Sequence, residues 1–241
     1  MKSLVFVHGY LGGGLQWADQ VEVFSEYFRV ITPDLPGFGG NRAVTTPESI
    51  RGLAQYVLDE LDQLEVERFH LVGHSMGGMI VQEMVALAPE RVDKLVLYGT
   101  GPVGIMPGRF ETIDESRRGV QDKGVEETGR RIAATWFQHG KSAAGYAVCA
   151  ELAVKASLQA ALAGLTAMEA WSGVAALSKI ESSTLVLWGD GDRAYRWSQP
   201  EQLWREIEGA QLAVIPGCSH AVHLEKPHLF NAMLLDFLGT V

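Results

Sequence analysis

The segment Gly73-His74-Ser75-Met76-Gly77 sets a serine between two glycines in the pattern G-x-S-x-G. The chemistry open to such a serine is nucleophilic attack on an acyl carbon. A hydroxyl is a weak nucleophile until a base takes its proton, and that base needs a carboxylate to orient it. The bare pattern also occurs in ordinary glycine-rich turns, so its setting decides. Phe69-His70-Leu71-Val72 reads as a strand, and Met79 to Leu87 as a helix stopped by Pro89. Strand, sharp turn and helix form the setting that the motif requires. A serine on so sharp a turn holds strained backbone angles, and the close helix–strand approach leaves no room for side chains at 73 and 77. The helix behind it points N–H groups at the reacting oxygen.

In this setting the chain order of the three groups is serine, acid, histidine. Leu185–Trp188 reads as a strand and runs into Gly189-Asp190-Gly191-Asp192. The turn after a strand end is where a ligand-facing acid belongs. Asp192 is assigned over Asp190, which follows the strand too closely and suits a turn-forming role beside glycine. Leu212–Ile215 reads as the last strand, and Pro216-Gly217-Cys218-Ser219-His220 follows it. His220 is the one histidine of seven that follows a strand end in the required order. His70 lies inside a strand, His74 is expected to point away from Ser75, His139 lies in the insertion between Tyr98 and Leu185, and His223 and His228 begin the final helix.

Developing negative charge on the substrate needs two backbone N–H donors. Met76, directly after the nucleophile, supplies one. The other comes from the loop after the first strand, Val7-His8-Gly9-Tyr10-Leu11-Gly12-Gly13-Gly14. Tyr10 is assigned as the donor, with Leu11 second and also a candidate substrate contact. His8 reads as an anchor of that loop.

These groups must be held by a regular frame. Short apolar runs recur at Leu4–Val7, Phe28–Ile31, Phe69–Val72, Leu95–Tyr98, Leu185–Trp188 and Leu212–Ile215. Each is too short for a helix and too continuously apolar for a one-faced strand, so they fit a parallel sheet buried on both faces. Helical stripes lie between them: Trp17, Val21, Phe24, Phe28; then Ile50, Leu53, Val57, Leu61, Leu64 after Thr46-Pro47-Glu48; and finally Leu229, Phe230, Met233, Leu234, Phe237, Leu238. Such alternation marks an α/β fold. It breaks after Tyr98. No buried strand appears until Leu185, and the stretch between carries two charged helical patterns (111–131) followed by an apolar one (143–177). This reads as a helical insertion over one end of the sheet.

Five pieces together resemble the α/β-hydrolase superfamily: His8-Gly9, Asp34-Leu35-Pro36-Gly37-Phe38-Gly39, Gly73-His74-Ser75-Met76-Gly77-Gly78, Leu187-Trp188-Gly189-Asp190-Gly191-Asp192 and Gly217-Cys218-Ser219-His220. They span almost the whole chain in the expected order. The resemblance implies a hydrolase core over 1–104 and 179–241, with 105–178 as a helical cap that shapes the pocket. The chain starts directly at the strand before His8-Gly9, so about six strands are expected, without the usual N-terminal hairpin. Within the superfamily it is similar to the small esterase and 3-oxoadipate enol-lactonase branch, and also to the branch of the menaquinone-pathway synthase that eliminates pyruvate. Relatives of this fold that are dehalogenases or epoxide hydrolases carry an aspartate at the elbow; Ser75 favours an acyl-enzyme route.

Hydrolysis of a small carboxylic ester, thioester or lactone is the leading reading, with no metal or organic cofactor. A second reading keeps the same three residues for C–C cleavage or elimination. A polyanionic substrate would then want arginines, and the insertion holds Arg117, Arg118, Arg130 and Arg131, interleaved with acids as on a solvated helix face. A third reading, a binding protein without activity, is opposed by the intact Ser, Asp and His set. Trp136, Phe137, Tyr146 and Trp171, with Met168, are candidates for lining an acyl pocket; the same spacing suits ordinary core packing.

The bulk properties agree with a small-molecule enzyme. The chain has 241 residues, 47% apolar and 20% charged, with net charge −9. That charge argues against nucleic acid as partner. Residues 105–178 carry eight acidic and eight basic side chains, so the acidic excess lies in the remainder. No apolar stretch approaches a membrane span or a signal-peptide core. Cys149 and Cys218 have neither metal-ligand nor redox spacing, which fits a reducing, cytoplasmic setting.

Overall fold

Each of the apolar runs named above forms a strand. The structure, a computed structural model, describes residues 1–239. Its strands are β1 Ser3–Val7, β2 Arg29–Ile31, β3 Phe69–His74, β4 Val92–Tyr98, β5 Ser183–Gly189 and β6 Gln211–Ile215. The helices are α1 Ala18–Phe24, α2 Ile50–Gln63, α3 Met76–Leu87, α4 Ile113–Ala134, α5 Tyr146–Lys155, α6 Leu158–Glu169, α7 Ser198–Glu206, α8 Val222–Glu225 and α9 Pro227–Leu238. The strands make one six-stranded sheet in the order β2-β1-β3-β4-β5-β6, with every pairing parallel. This is the α/β fold expected from the sequence.

Side chains alternate across the sheet as the strand period dictates. Val5, Val7 and Leu71 face a core completed by Leu53, Val57 and Leu61 of α2 and Met79, Ile80 and Met84 of α3. Leu4, Phe6, Val72, Val96, Leu185 and Leu187 face the other, completed by Trp17, Phe24, Phe230 and Leu234. Each large side chain so buried contributes about 1.5–3 kcal/mol. The two edge strands depart from the expectation of burial on both faces: β2 is only partly buried, and Val214 of β6 is 44% exposed. An edge strand has a neighbour on one side only, so its cover is thinner. Leu64, Leu229 and Met233, all counted in helical stripes, are also exposed; Leu64 falls beyond the end of α2.

Helix α2 starts at the Ser49 cap, whose Oγ accepts from the Gly52 N–H at 3.1 Å. Helix α4 opens with a reciprocal capping box between Thr112 and Glu115. It breaks at Gly124 (φ 81°, ψ 169°), so the charged stretch is two helical pieces, and the apolar stretch that follows is α5 and α6. No single helix among the described residues is long and apolar enough to cross a membrane.

The register aligns the carboxyl ends of the strands: Val7 pairs with Gly73, Gly73 with Leu97, Tyr98 with Leu187, and Gly189 with Ile215. The loops after β1, β3, β5 and β6 therefore emerge on one edge. The chain winds outward from β1 to β2 on one side and to β3 on the other. In open α/β sheets a ligand sits outside the carboxyl ends at such a switch point.

Candidate functional site

Ser75 sits at that switch point, between the end of β3 and the first residue of α3. Its φ of 59° and ψ of −122° are backbone angles that a residue with a side chain adopts only under strain. Two contacts hold the turn. The Ser75 N–H donates to the Tyr98 carbonyl at 3.1 Å, and the Thr100 hydroxyl donates to the Ser75 carbonyl at 2.8 Å. Helix α3 comes so close to β1 that a Cβ at Gly77 would lie 2.2 Å from the Val7 carbonyl oxygen. The loop after β1 presses on Ser75 itself: a Cβ at Gly9 would lie 2.8 Å from Ser75 Cβ.

His220 and Asp192 meet at the carboxyl ends of β6 and β5. His220 Nδ1 donates to Asp192 Oδ2 at 2.8 Å, and both residues are buried. The second carboxylate oxygen, Oδ1, accepts from the N–H groups of Ala194 at 2.7 Å and Tyr195 at 3.1 Å. Every face of the acid that matters is thus fixed. The His220 carbonyl accepts from the Tyr98 hydroxyl at 2.8 Å and from His74 Nε2 at 3.1 Å. With Asp192 holding Nδ1, the imidazole presents Nε2 to the pocket that it shares with Ser75. Among the described residues no hydrogen bond joins Ser75 to His220. Such bonds are often long in unliganded sites and close when substrate binds.

His74 is not idle: its ring lies 4.4 Å from the His220 ring. It stacks on Tyr98 at 4.5 Å and supports the His220 backbone, and burial holds its pKa well below the usual histidine value. His8 is a neutral pillar of the β1 loop. Its Nδ1 donates to the Gly9 carbonyl at 2.8 Å and its Nε2 accepts from the Leu35 N–H at 2.9 Å. Burial lowers its pKa to about 4. Asp190 accepts from the Gly217 N–H at 2.7 Å and makes a turn contact, away from His220.

The amides proposed as oxyanion donors are free to serve. Among the described residues neither the Tyr10 nor the Leu11 N–H donates to a protein group. Met76 begins α3, where the N–H has no partner within the helix. Leu11 adopts a left-handed φ of 58°, which turns the loop after β1 sharply.

A narrow pocket, with a cavity volume of about 20 Å³, adjoins Ser75 and His220. Tyr10, Trp136 and Met168 line it, as do Met106, Arg109 and Tyr195, which the sequence reading did not single out. Leu11, Phe137, Tyr146 and Trp171, named above as possible substrate contacts, are not in its wall. Leu11 and Phe137 are fully buried in the core. The Tyr146 hydroxyl donates to the Arg130 carbonyl, and Trp171 Nε1 to Glu83 at 2.9 Å. Trp136 and Phe137 lie in the turn beyond the end of α4, where Trp136 reaches the pocket and Phe137 packs into the core. Three of the four arginines named earlier are engaged outside the pocket. Arg117 pairs with Asp114 and Glu169, Arg130 with Glu126 and Glu151, and Arg131 with Glu111; Arg118 is not in the wall either.

Arg109 is different. Its Nη1 donates to the Glu111 carbonyl at 2.8 Å, the Thr112 carbonyl at 3.5 Å and the Ser116 hydroxyl at 3.0 Å, all neutral acceptors, and its guanidinium lies 4.3 Å over the Phe110 ring. Among the described residues it forms no ion pair within 4 Å. Burial lowers its pKa, while the charge of Glu111 raises it in part. It comes from an irregular loop, where no periodicity could single it out. Among the described residues no group of three or more His, Cys, Asp or Glu side chains is placed to hold a metal ion.

Residues 4–233 match the model of the alpha/beta hydrolase family, and the chain belongs to that family. It is 32% identical over 253 residues to a 2-hydroxy-6-oxononadienedioate/2-hydroxy-6-oxononatrienedioate hydrolase of Paraburkholderia phymatum, covering 99% of this chain and 87% of that protein. Among solved structures it resembles a hydrolase from Pseudomonas aeruginosa, with a TM-score of 0.90, 26% identity, and 99% of this chain and 90% of that one covered. The enol-lactonase from Burkholderia xenovorans shares its fold, with a TM-score of 0.89 at 24% identity, over 98% of this chain and 91% of that one.

Proposed function

Taking the chain as an alpha/beta hydrolase, we propose that it cleaves a small carboxylic ester, thioester or lactone through an acyl-enzyme on Ser75. The observation that carries this reading is the strained Ser75 elbow sharing one pocket with the Asp192–His220 pair. Ser75 Oγ attacks the carbonyl carbon. His220 Nε2 takes the serine proton and passes it to the leaving oxygen, while Asp192 holds the imidazole in the tautomer that can do so. The N–H groups of Met76 and Tyr10 or Leu11 receive the negative charge that builds on the carbonyl oxygen. Water then enters, gives its proton to His220 and releases the acid. Residues 105–178 act as the cap in this reading. Met106, Arg109, Ile132, Trp136 and Met168, all from that segment, reach the pocket. A panel of short-chain p-nitrophenyl esters tests the reading. Turnover with a preference among acyl lengths, abolished in Ser75→Ala, is the expected result; undiminished turnover in Ser75→Ala would overturn it.

A second reading, C–C bond hydrolysis of a carboxylated substrate by the same residues, is favoured by Arg109. A guanidinium beside the reacting serine, without a carboxylate partner, suits an anionic substrate group. The name of the Paraburkholderia relative, a dioate hydrolase, points the same way. A bound carboxylate would also offset the desolvation that lowers the Arg109 pKa. Arg109→Met is expected to lower kcat/KM for a monoethyl dicarboxylate about 10- to 100-fold more than for a neutral ethyl ester. Equal losses on both would remove the basis of this reading.

A further inference from the structure

Tyr195 lies three residues beyond Asp192, in the loop between β5 and α7. Its side chain is 1% exposed, and its ring stacks on the His220 imidazole at 5.6 Å with only 15° between the planes. The backbone beneath it is fixed twice. The Tyr195 N–H donates to Asp192 Oδ1 at 3.1 Å, and its carbonyl accepts from Trp188 Nε1 at 2.9 Å. One carboxylate therefore orients both rings, His220 through Oδ2 and Tyr195 through Oδ1.

The hydroxyl at the end of this well-fixed ring has no hydrogen-bond partner among the described residues. It stands beside the Ser75 and Thr100 hydroxyls, which interact with it without completing a bond of ordinary geometry, and the Thr100 proton is donated to the Ser75 carbonyl. A buried phenol left unpartnered destabilises the fold, whereas phenylalanine would fill the same space and stack on His220 without that cost. Tyr195 stands in the wall of the pocket that Ser75 and His220 line, where a bound substrate would bring an acceptor to this hydroxyl. Burial raises its pKa, which keeps the proton on the oxygen as a donor.

The position selects the atom. The β1 loop, with the Tyr10 and Leu11 amides, approaches Ser75 from the side of Gly9. Tyr195 comes from the side of Asp192 and His220, where the proton is delivered to the departing group. We propose that the Tyr195 hydroxyl is a further catalytic residue, donating a hydrogen bond to the leaving oxygen of the substrate and then to the water that replaces it. The inference rests on the acyl-enzyme reading above. During acylation the Ser75 Oγ–carbon bond forms and the bond from carbon to the leaving oxygen breaks. The serine proton travels through His220 Nε2 to that oxygen, and Tyr195 keeps its own proton throughout. Substrates with poor leaving groups depend on this contact, because the oxygen leaves with the most charge to stabilise.

The test compares Tyr195→Phe with the wild type on ethyl butyrate and p-nitrophenyl butyrate, beside Ser75→Ala. Phenylalanine preserves the ring stack and removes only the oxygen. The expected result is a kcat/KM loss on the ethyl ester at least about tenfold larger than on the nitrophenyl ester, with a melting temperature equal to or above that of the wild type. Equal losses on the two esters, no loss on either, no wild-type turnover of either, or a lowered melting temperature would each overturn the assignment. Retained activity in Ser75→Ala would instead strike the acyl-enzyme reading. A dead Ser75→Ala with a uniform effect of Tyr195→Phe would strike the tyrosine alone.

Discussion

Replacing Asp192 by asparagine changes one oxygen to an amide nitrogen, and the surrounding contacts dictate where that nitrogen goes. Asp192 Oδ1 accepts two backbone N–H groups, at 2.7 Å from Ala194 and 3.1 Å from Tyr195. An amide NH2 in that position would face two donors, so the asparagine oxygen must stay there. The NH2 then faces His220 Nδ1, which the native carboxylate reaches at 2.8 Å as an acceptor. With a donor opposite, Nδ1 must become the acceptor and the ring proton moves to Nε2. His220 in that tautomer cannot take the serine proton. The expected loss in kcat is about 1,000- to 10,000-fold, the magnitude of a wrong-tautomer defect in a serine nucleophile system. That corresponds to about 4–5.5 kcal/mol of barrier. The two backbone contacts survive, so the melting temperature should change little. Turnover of p-nitrophenyl butyrate, measured with the thermal melt, gives both quantities. The Ser75→Ala/Asp192→Asn double variant should be no slower than Ser75→Ala alone, because the residues act as a unit. A loss below about tenfold in Asp192→Asn would refute the reasoning.

Three further outcomes follow from the packing. Gly9→Ala places a Cβ 2.8 Å from Ser75 Cβ and 3.3 Å from its Oγ, so the β1 loop must retreat and activity should fall by about 100-fold, read from the same ester assay. Phe6→Ala opens a hole beside Trp17 and Phe24, whose rings lie 5.0 and 5.7 Å from it, and should cost about 3–5 kcal/mol in urea unfolding. His8 stays neutral in the folded state down to about pH 4, while the unfolded chain protonates it near pH 6.5. Its folded pKa is depressed, so the unfolded state binds more protons between these values. Its contribution is fully present above pH 6.5 and is lost as pH falls towards 4, by up to about 3 kcal/mol. Urea midpoints across that window should decline on acidification, and His8→Gln should flatten the slope.

The frame of the fold was legible because a strand buried on both faces tolerates no polar interruption, and the apolar runs stand out against the helices between them. The runs around β2 and β6 had the same appearance, yet as edge strands they are thinly covered, which composition cannot tell. The positions of Ser75, Asp192 and His220 could be reasoned from strand ends, since the parallel register sends all those loops to one edge. Asp190 and Asp192 differ by two residues, but one caps the turn at Gly217 and the other reaches His220. The pocket wall was much less legible. Trp136 and Phe137 are equal as sequence, and only the course of the turn after α4 decides which one reaches the pocket. Arg109 and Tyr195 sit in loops with no period to read. What sets them apart is a missing partner, a guanidinium without a carboxylate and a phenol without an acceptor, and that is a property of three-dimensional packing.

The central claim is that Ser75 forms the covalent intermediate with His220 and Asp192 in support. Intact-protein and peptide mass spectrometry after treatment with diisopropyl fluorophosphate tests it most directly. The account predicts a single adduct on the peptide containing Ser75, none on Ser75→Ala, and a much slower reaction in Asp192→Asn. An adduct on another residue, or none on the wild type, would contradict it.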